Sequence, residues 1–197
     1  MLTDNDVVSM TATEKYVSRA GLKLASVAEA LKLDFKNKVV LDVGSSTGGF
    51  TDYALQHGAT YVVAVDVGTN QLHPSLRANK QIELHEQTDI RDVKEVSKSP
   101  DIVVIDVSFI SLKEILPTVA RLSTKQTQVV AMVKPQFEAG DSAKHKGVIK
   151  NDRMRRNILQ DFEHWVKSQF VIIDKADSQV AGTKGNQERF YLLIKAA

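Results

Sequence analysis

The segment at residues 38–53, "KVVLDVGSSTGGFTDY", decides how this chain is read. It begins as a β-branched apolar run, turns at Gly44, and passes through Gly48 and Gly49 into a stretch with helical character. A strand that feeds a glycine-rich turn and then a helix opens a β-α-β unit, and bare backbone at such a turn lets a ligand approach closely.

The pattern recurs along the chain. Runs at 61–67 ("YVVAVDV"), 82–86 ("IELHE"), 101–107 ("DIVVIDV"), 127–133 ("TQVVAMV"), 170–174 ("FVIID") and 189–195 ("RFYLLIK") are predicted strands. They are continuously apolar rather than alternating, which predicts strands covered on both faces, as in a mostly parallel sheet. Helices are predicted over 16–33, with Val17, Leu22, Leu24, Val27, Ala28 and Leu31 at helical spacing, and over 50–58, 111–123 and 152–169. The fold class is therefore α/β: a doubly wound, seven-stranded, mostly parallel sheet with helices on both faces. Ligands of such sheets bind beyond the carboxyl ends of the strands. Asp42, Asp66, Asp106 and Lys134 all fall at predicted strand ends, and adjacent strands would bring Asp106 and Lys134 close together.

Composition bounds the rest. The 197 residues suit one domain with a full core, and no run of about 18 apolar residues could span a bilayer. Without a secretion-type leader the expectation is a cytoplasmic protein with no membrane role. The chain has no cysteine, and its five histidines lack metal-ligand spacing, so no metal is expected. Net charge is only +2, yet basic residues crowd two segments: Lys15, Arg19, Lys23, Lys32, Lys36 and Lys38, then Lys144, Lys146, Lys150, Arg153, Arg155 and Arg156. Two such patches on one face would suit a polyanion such as RNA; solvated surface is the plainer reading.

Three ligands compete for the glycine turn. A nucleoside-triphosphate loop fits Gly44 and Gly49 by spacing, but Phe50 stands where the phosphate-neutralising lysine is required. A dinucleotide fingerprint needs glycine where Ser46 stands, although Asp66 would serve as its ribose acid. The third ligand is S-adenosyl-L-methionine, with an ammonium for Asp42, ribose hydroxyls for Asp66 and an adenine amino group for Asp89. Ser46, Gly48, Gly49 and Phe50 complete the expected cofactor loop.

Six ordered stretches, "YVSRAGLKL", "LDVGSSTGGFTD", "AVDVGTNQLH", "IDVSFISL", "VKPQFEAG" and "GNQERFYLLIK", closely resemble the TlyA family within the FtsJ-like methyltransferases. Its members are named both as haemolysins and as ribosomal RNA 2′-O-methyltransferases. The resemblance runs from about residue 15 to the C-terminus. It implies a Rossmann-like methyltransferase fold, S-adenosyl-L-methionine as cofactor, and ribosomal RNA or ribosomal subunits as partner. It also implies a Lys-Asp-Lys-Glu tetrad, which falls on Lys23, Asp106, Lys134 and Glu188. Family members carry a small RNA-binding domain ahead of the "YVSR" motif. Residues 1–14 are accordingly expected to be a flexible remnant of the linker to it, and 15–197 the methyltransferase domain.

The chemistry of the tetrad follows from its residue types. A ribose hydroxyl is a poor nucleophile, so its proton must be removed or its developing charge stabilised. Lys134 is the candidate, and to act as a base its amine must be neutral, through burial or a second cation such as Lys23. Asp106 and Glu188 would orient the amines; alternatively both lysines stay charged and act only electrostatically. Ser108 and Ser111 lack a histidine and acid at triad spacing, which argues against a hydrolase. Two other classes compete with the enzyme: a membrane-active haemolysin and an inactive cofactor-binding ribosome partner. Phe109, Phe137 and Phe190 are expected to pack in the core.

Overall fold

The computed structural model describes residues 15–139, 147–182 and 185–196. The expected flexible segment 1–14, and Lys144 and Lys146 of the second basic patch, lie outside the described residues. In chain order the elements are α1 (Arg19–Ala28), β1 (Val39–Val43), α2 (Gly49–Gln56), β2 (Tyr61–Val65), α3 (Pro74–Arg77), β3 (Ile82–His85), β4 (Ile102–Ile105), α4 (Leu112–Leu122), β5 (Gln128–Val133), α5 (Pro135–Glu138), α6 (Asp152–Val166), β6 (Phe170–Asp177) and β7 (Arg189–Lys195). All seven predicted strands are present, and they form one sheet in the order β3-β2-β1-β4-β5-β7-β6. β1 to β5 pair in parallel, whereas β7 pairs antiparallel with both β5 and β6.

The continuous apolar runs have the expected cause: successive residues of one strand enter two different cores. Leu41, Val103, Ile105, Val129 and Ala131 pack with Leu112, Leu116, Leu159 and Phe162 of α4 and α6. Val40, Ile102, Val104, Val130 and Met132 pack on the other face with Leu24 and Val27 of α1 and Phe50 and Tyr53 of α2. Phe190 is fully buried in this second core, as expected. α1 is shorter than the predicted helix: beyond Glu29 the chain turns, Lys32 adopts φ +52°, and Leu31 reaches the core from that turn. Leu22, expected on the apolar stripe, is exposed.

The winding direction changes between β1 and β4, so a crevice opens there at the carboxyl ends of the strands. Gly44 closes that point. Its φ is +81°, its N–H donates to the Val65 carbonyl at 2.9 Å, and a Cβ there would lie 2.6 Å from the Asp106 carbonyl oxygen. No side chain fits where the turn after β1 rests on the end of β4.

Candidate active site

Two pockets meet at Gly44. The larger, about 350 Å³, lies over the ends of β1, β2 and β4 and is lined by Gly44, Ser46, Asp66, Asp89, Asp106 and Phe109 among others. The smaller, about 90 Å³, lies behind the turn and is lined by Ala20, Asp42, Gly44, Ser45, Phe50 and Asp106.

Asp66 is oriented by backbone: Oδ2 accepts from the Ser46 N–H at 2.8 Å and Oδ1 from the Gly68 N–H at 2.7 Å. Each oxygen keeps a lone pair for a further donor. Ser46, at φ +47°, is bent so that its N–H meets that carboxylate. Asp89 caps a short 3-10 turn and grips Arg91, whose guanidinium hydrogen bonds hold the Asp89 carboxyl below the ordinary range. It lines the larger pocket with much of its acceptor capacity already used by Arg91.

Asp42 is 1% exposed. Its Oδ2 accepts from Thr51 Oγ1 at 2.7 Å, while Oδ1 is buried with no partner, as is Ser45 Oγ nearby. Burial raises the Asp42 carboxyl to about 7, against the Thr51 hydrogen bond and with the Asp106 carboxylate adding to the rise. A buried orphan acceptor beside a small cavity suits a ligand cation, because an ammonium there would supply the missing donor. A pyrophosphate would meet this carboxyl as a like charge, so the dinucleotide alternative fits worse.

Two of the expected loop residues are closely packed on other elements. Gly48 and Gly49 line neither pocket. A Cβ on Gly48 would strike Leu72 and Leu76, and one on Gly49 would strike Ser18 and the Gly21 backbone, so both serve the close packing of α2 against its neighbours. Phe50 is a core residue, in aromatic contact with Phe190, that reaches only the smaller pocket.

The four tetrad positions come together as two ion pairs. Lys134 Nζ lies 2.6 Å from Asp106 Oδ1 and donates to Ser108 Oγ at 2.8 Å. Lys23 Nζ lies 2.5 Å from Glu188 Oε2. In both pairs the lysine amine meets a carboxylate oxygen that is itself cut off from solvent. Lys134 is 8% and Glu188 3% exposed, so neither is a surface charge. β5 pairs Val133 with Arg189 of the antiparallel β7, so Lys134 and Glu188 leave the sheet at the same end. Insertion of β7 is therefore what places Glu188 on the rim.

Sequence reasoning misplaced or missed several neighbours. Phe109, expected in the core, is 91% exposed at φ +65° and packs at a tilt on Phe137. Ser108, weighed only as a nucleophile, is a partner of Lys134. Ser45 and Thr51 flank Asp42; their only signal was their place in the loop already singled out. The first basic patch divides, because α1 crosses the sheet. Arg19 and Lys23 lie at the rim with Ala181 and Glu188, whereas Lys32 and Lys38 sit with Asp101 at the amino ends of the strands.

The sheet order, with its antiparallel seventh strand beside β5, is that of an α/β methyltransferase-like fold. Residues 16–195 match the FtsJ-like methyltransferase family, and the chain belongs to that family. It is 41% identical over 198 residues to the 23S rRNA (cytidine-2′-O)-methyltransferase TlyA of Campylobacter jejuni, an alignment covering 99% of this chain and 77% of that one. It is 38% identical to hemolysin A of Brachyspira hyodysenteriae, over 95% of this chain and 80% of the relative. A solved structure from Streptococcus thermophilus that carries the hemolysin name superposes with a TM-score of 0.88 at 39% identity, covering 93% of this chain and 68% of that one.

Proposed function

We propose that this chain methylates a ribose 2′-hydroxyl of ribosomal RNA, with S-adenosyl-L-methionine as methyl donor. The observation that carries the reading is the Lys134–Asp106 pair at the edge of the cleft that begins at Gly44. The names of the relatives support the RNA substrate.

S-adenosyl-L-methionine, when bound, supplies an electrophilic methyl group on a sulfonium. Asp42 and Ser45 would hold its charged methionine end, Asp66 its ribose hydroxyls, and Asp89 the adenine side. Asp106 holds the Lys134 amine at the cleft edge, where it meets the acceptor hydroxyl. A neutral amine takes the proton from that hydroxyl, and an ammonium stabilises the oxyanion as it forms. Lys23, paired with Glu188, adds a second positive charge on the same rim. RNA phosphates would run from Arg19 on α1 to the exposed Lys150, Arg153 and Arg156 at the start of α6. These two segments flank the β6–β7 connection that carries Glu188, since Arg19 donates to the Ala181 carbonyl and Arg155 to the Gln187 carbonyl. Such a substrate places the protein with ribosomes in the cytoplasm, and residues 15–197 act as its methyltransferase domain.

The test is mapping of ribose methylation on rRNA and ribosomal subunits treated with the protein. Lys134→Ala and Asp106→Asn should abolish transfer while cofactor affinity measured by calorimetry stays within about tenfold. Near-normal transfer by Lys134→Ala would refute the assignment. The hemolysin-named relatives favour a second reading, membrane lysis. Among the described residues no helix is long and apolar enough to cross a membrane. Leakage of liposomes caused by the purified protein would support that reading instead.

A further inference from the structure

The segment after β5 grips the loop after β4 at three points. Lys134 donates to Ser108 Oγ, the Phe137 ring lies 5.1 Å from that of Phe109, and Glu138 reaches the start of α4. The last contact is the most directional. Glu138 Oε1 accepts from the Leu112 N–H at 2.7 Å and Oε2 from Ser111 Oγ at 2.5 Å. Ser111 is the N-cap of α4 and Leu112 its first residue, so both carboxylate oxygens are bound to one helix start. Charge-assisted bonds of this kind, at the positive end of a helix dipole, form a stiff link.

The loop between these contacts is a wall of the larger pocket, to which Asp106, Val107, Ser108, Phe109 and Ile110 all contribute. Phe109 holds a left-handed φ of +65°, which a bulky residue keeps only when its surroundings over-determine it. Glu138 itself does not line the pocket.

We propose that Glu138 is a positioning residue for methyl transfer: it ties the cleft wall to the strand end that carries Lys134, so that donor pocket and acceptor amine keep one spacing. This rests on the methyltransferase reading of the site given above. Glu138 touches neither reacting group, and its loss acts through the loop from Asp106 to Ser111.

Glu138→Ala, Glu138→Gln and Ser111→Ala are compared with the wild type in transfer to rRNA, with active sites counted by calorimetric titration with S-adenosyl-L-methionine. Glu138→Ala should lower kcat per titrated site by about tenfold or more while KM for RNA moves less than about threefold, because misplacement of groups far from the chemistry acts on the rate. Glu138→Gln should recover to within about threefold of wild type, since its amide oxygen accepts from Leu112 N–H and its amide nitrogen donates to Ser111 Oγ. A kcat per site near wild type in Glu138→Ala, even with lowered stability, overturns the proposal, as does Glu138→Gln being no faster than Glu138→Ala. If Glu138→Ala does not fold, Ser111→Ala decides: a kcat per site about threefold lower supports the tie, and an unchanged one overturns it. A wild type that transfers no methyl group overturns the functional reading and the proposal together. An active wild type with an equally active Glu138→Ala overturns the tie alone.

Discussion

Replacing Asp42 with asparagine should stabilise the protein strongly at pH 8 and only slightly at pH 4.5. The Asp42 carboxyl is raised from 3.8 to about 7, chiefly by burial. Between about pH 4 and pH 7 the folded chain therefore keeps a proton that the unfolded chain has released, and stability falls as pH rises through that window. A rise of about three units, at roughly 1.4 kcal/mol each, means that ionised Asp42 costs the folded state up to about 4 kcal/mol at pH 8. Asparagine keeps an oxygen for Thr51 Oγ1 and leaves a neutral group where Oδ1 is now unpartnered, as the protonated acid does. The variant should thus be ahead by only about 1 kcal/mol near pH 4.5, where the unfolded acid is already largely ionised, and by as much as about 4 kcal/mol at pH 8. Urea unfolding of both chains at pH 4.5, 6 and 8 measures this, because other titrating groups are common to both. A difference that is the same at all three pH values would refute the reasoning. Under the proposed function the stabilised variant should bind S-adenosyl-L-methionine worse, having lost the negative charge for its ammonium. Wild-type affinity should fall on acidification below about 7.

Two further outcomes follow from the site. Gly44→Ala would force a Cβ to 2.6 Å from the Asp106 carbonyl at a φ of +81°. Thermal unfolding should show a loss of about 1–3 kcal/mol, and calorimetry a loss of cofactor affinity; an unchanged melting temperature would contradict the close approach. Lys23→Met leaves Glu188 buried without its cation, which should cost about 3–5 kcal/mol. Adding Glu188→Gln should restore most of that stability without restoring transfer, and denaturant unfolding of the two variants separates pairing from catalysis.

The sheet was legible because its strands are apolar on both faces, a pattern that only burial under two helical layers permits. The ends of the first, second, fourth and fifth strands were equally legible, since acids and Lys134 interrupt apolar runs there. α3, at Pro74–Arg77, and α5, at Pro135–Glu138, were not, because single helical turns are too short to show a period. The roles within "GSSTGG" were not separable either. Gly44 faces the cleft, whereas Gly48 and Gly49 face α3 and α1, a difference made by residues at Leu72, Leu76 and Ser18 rather than by the loop itself. Phe109 looked like a core residue by composition; its exposure follows from a left-handed backbone held by contacts distant in sequence.

By itself the sequence determined the strand and helix types, the strand ends that carry acids and lysines, and the resemblance that assembled the tetrad, since these depend on local periodicity and residue identity. Only the tertiary structure decided that β7 enters antiparallel beside β5, that Lys23 pairs with Glu188 and Lys134 with Asp106, and that Asp42 keeps an unpartnered oxygen. These depend on which groups are brought together and which are cut off from water. Partner choice and desolvation are properties of the packed chain, set by residues far apart along it.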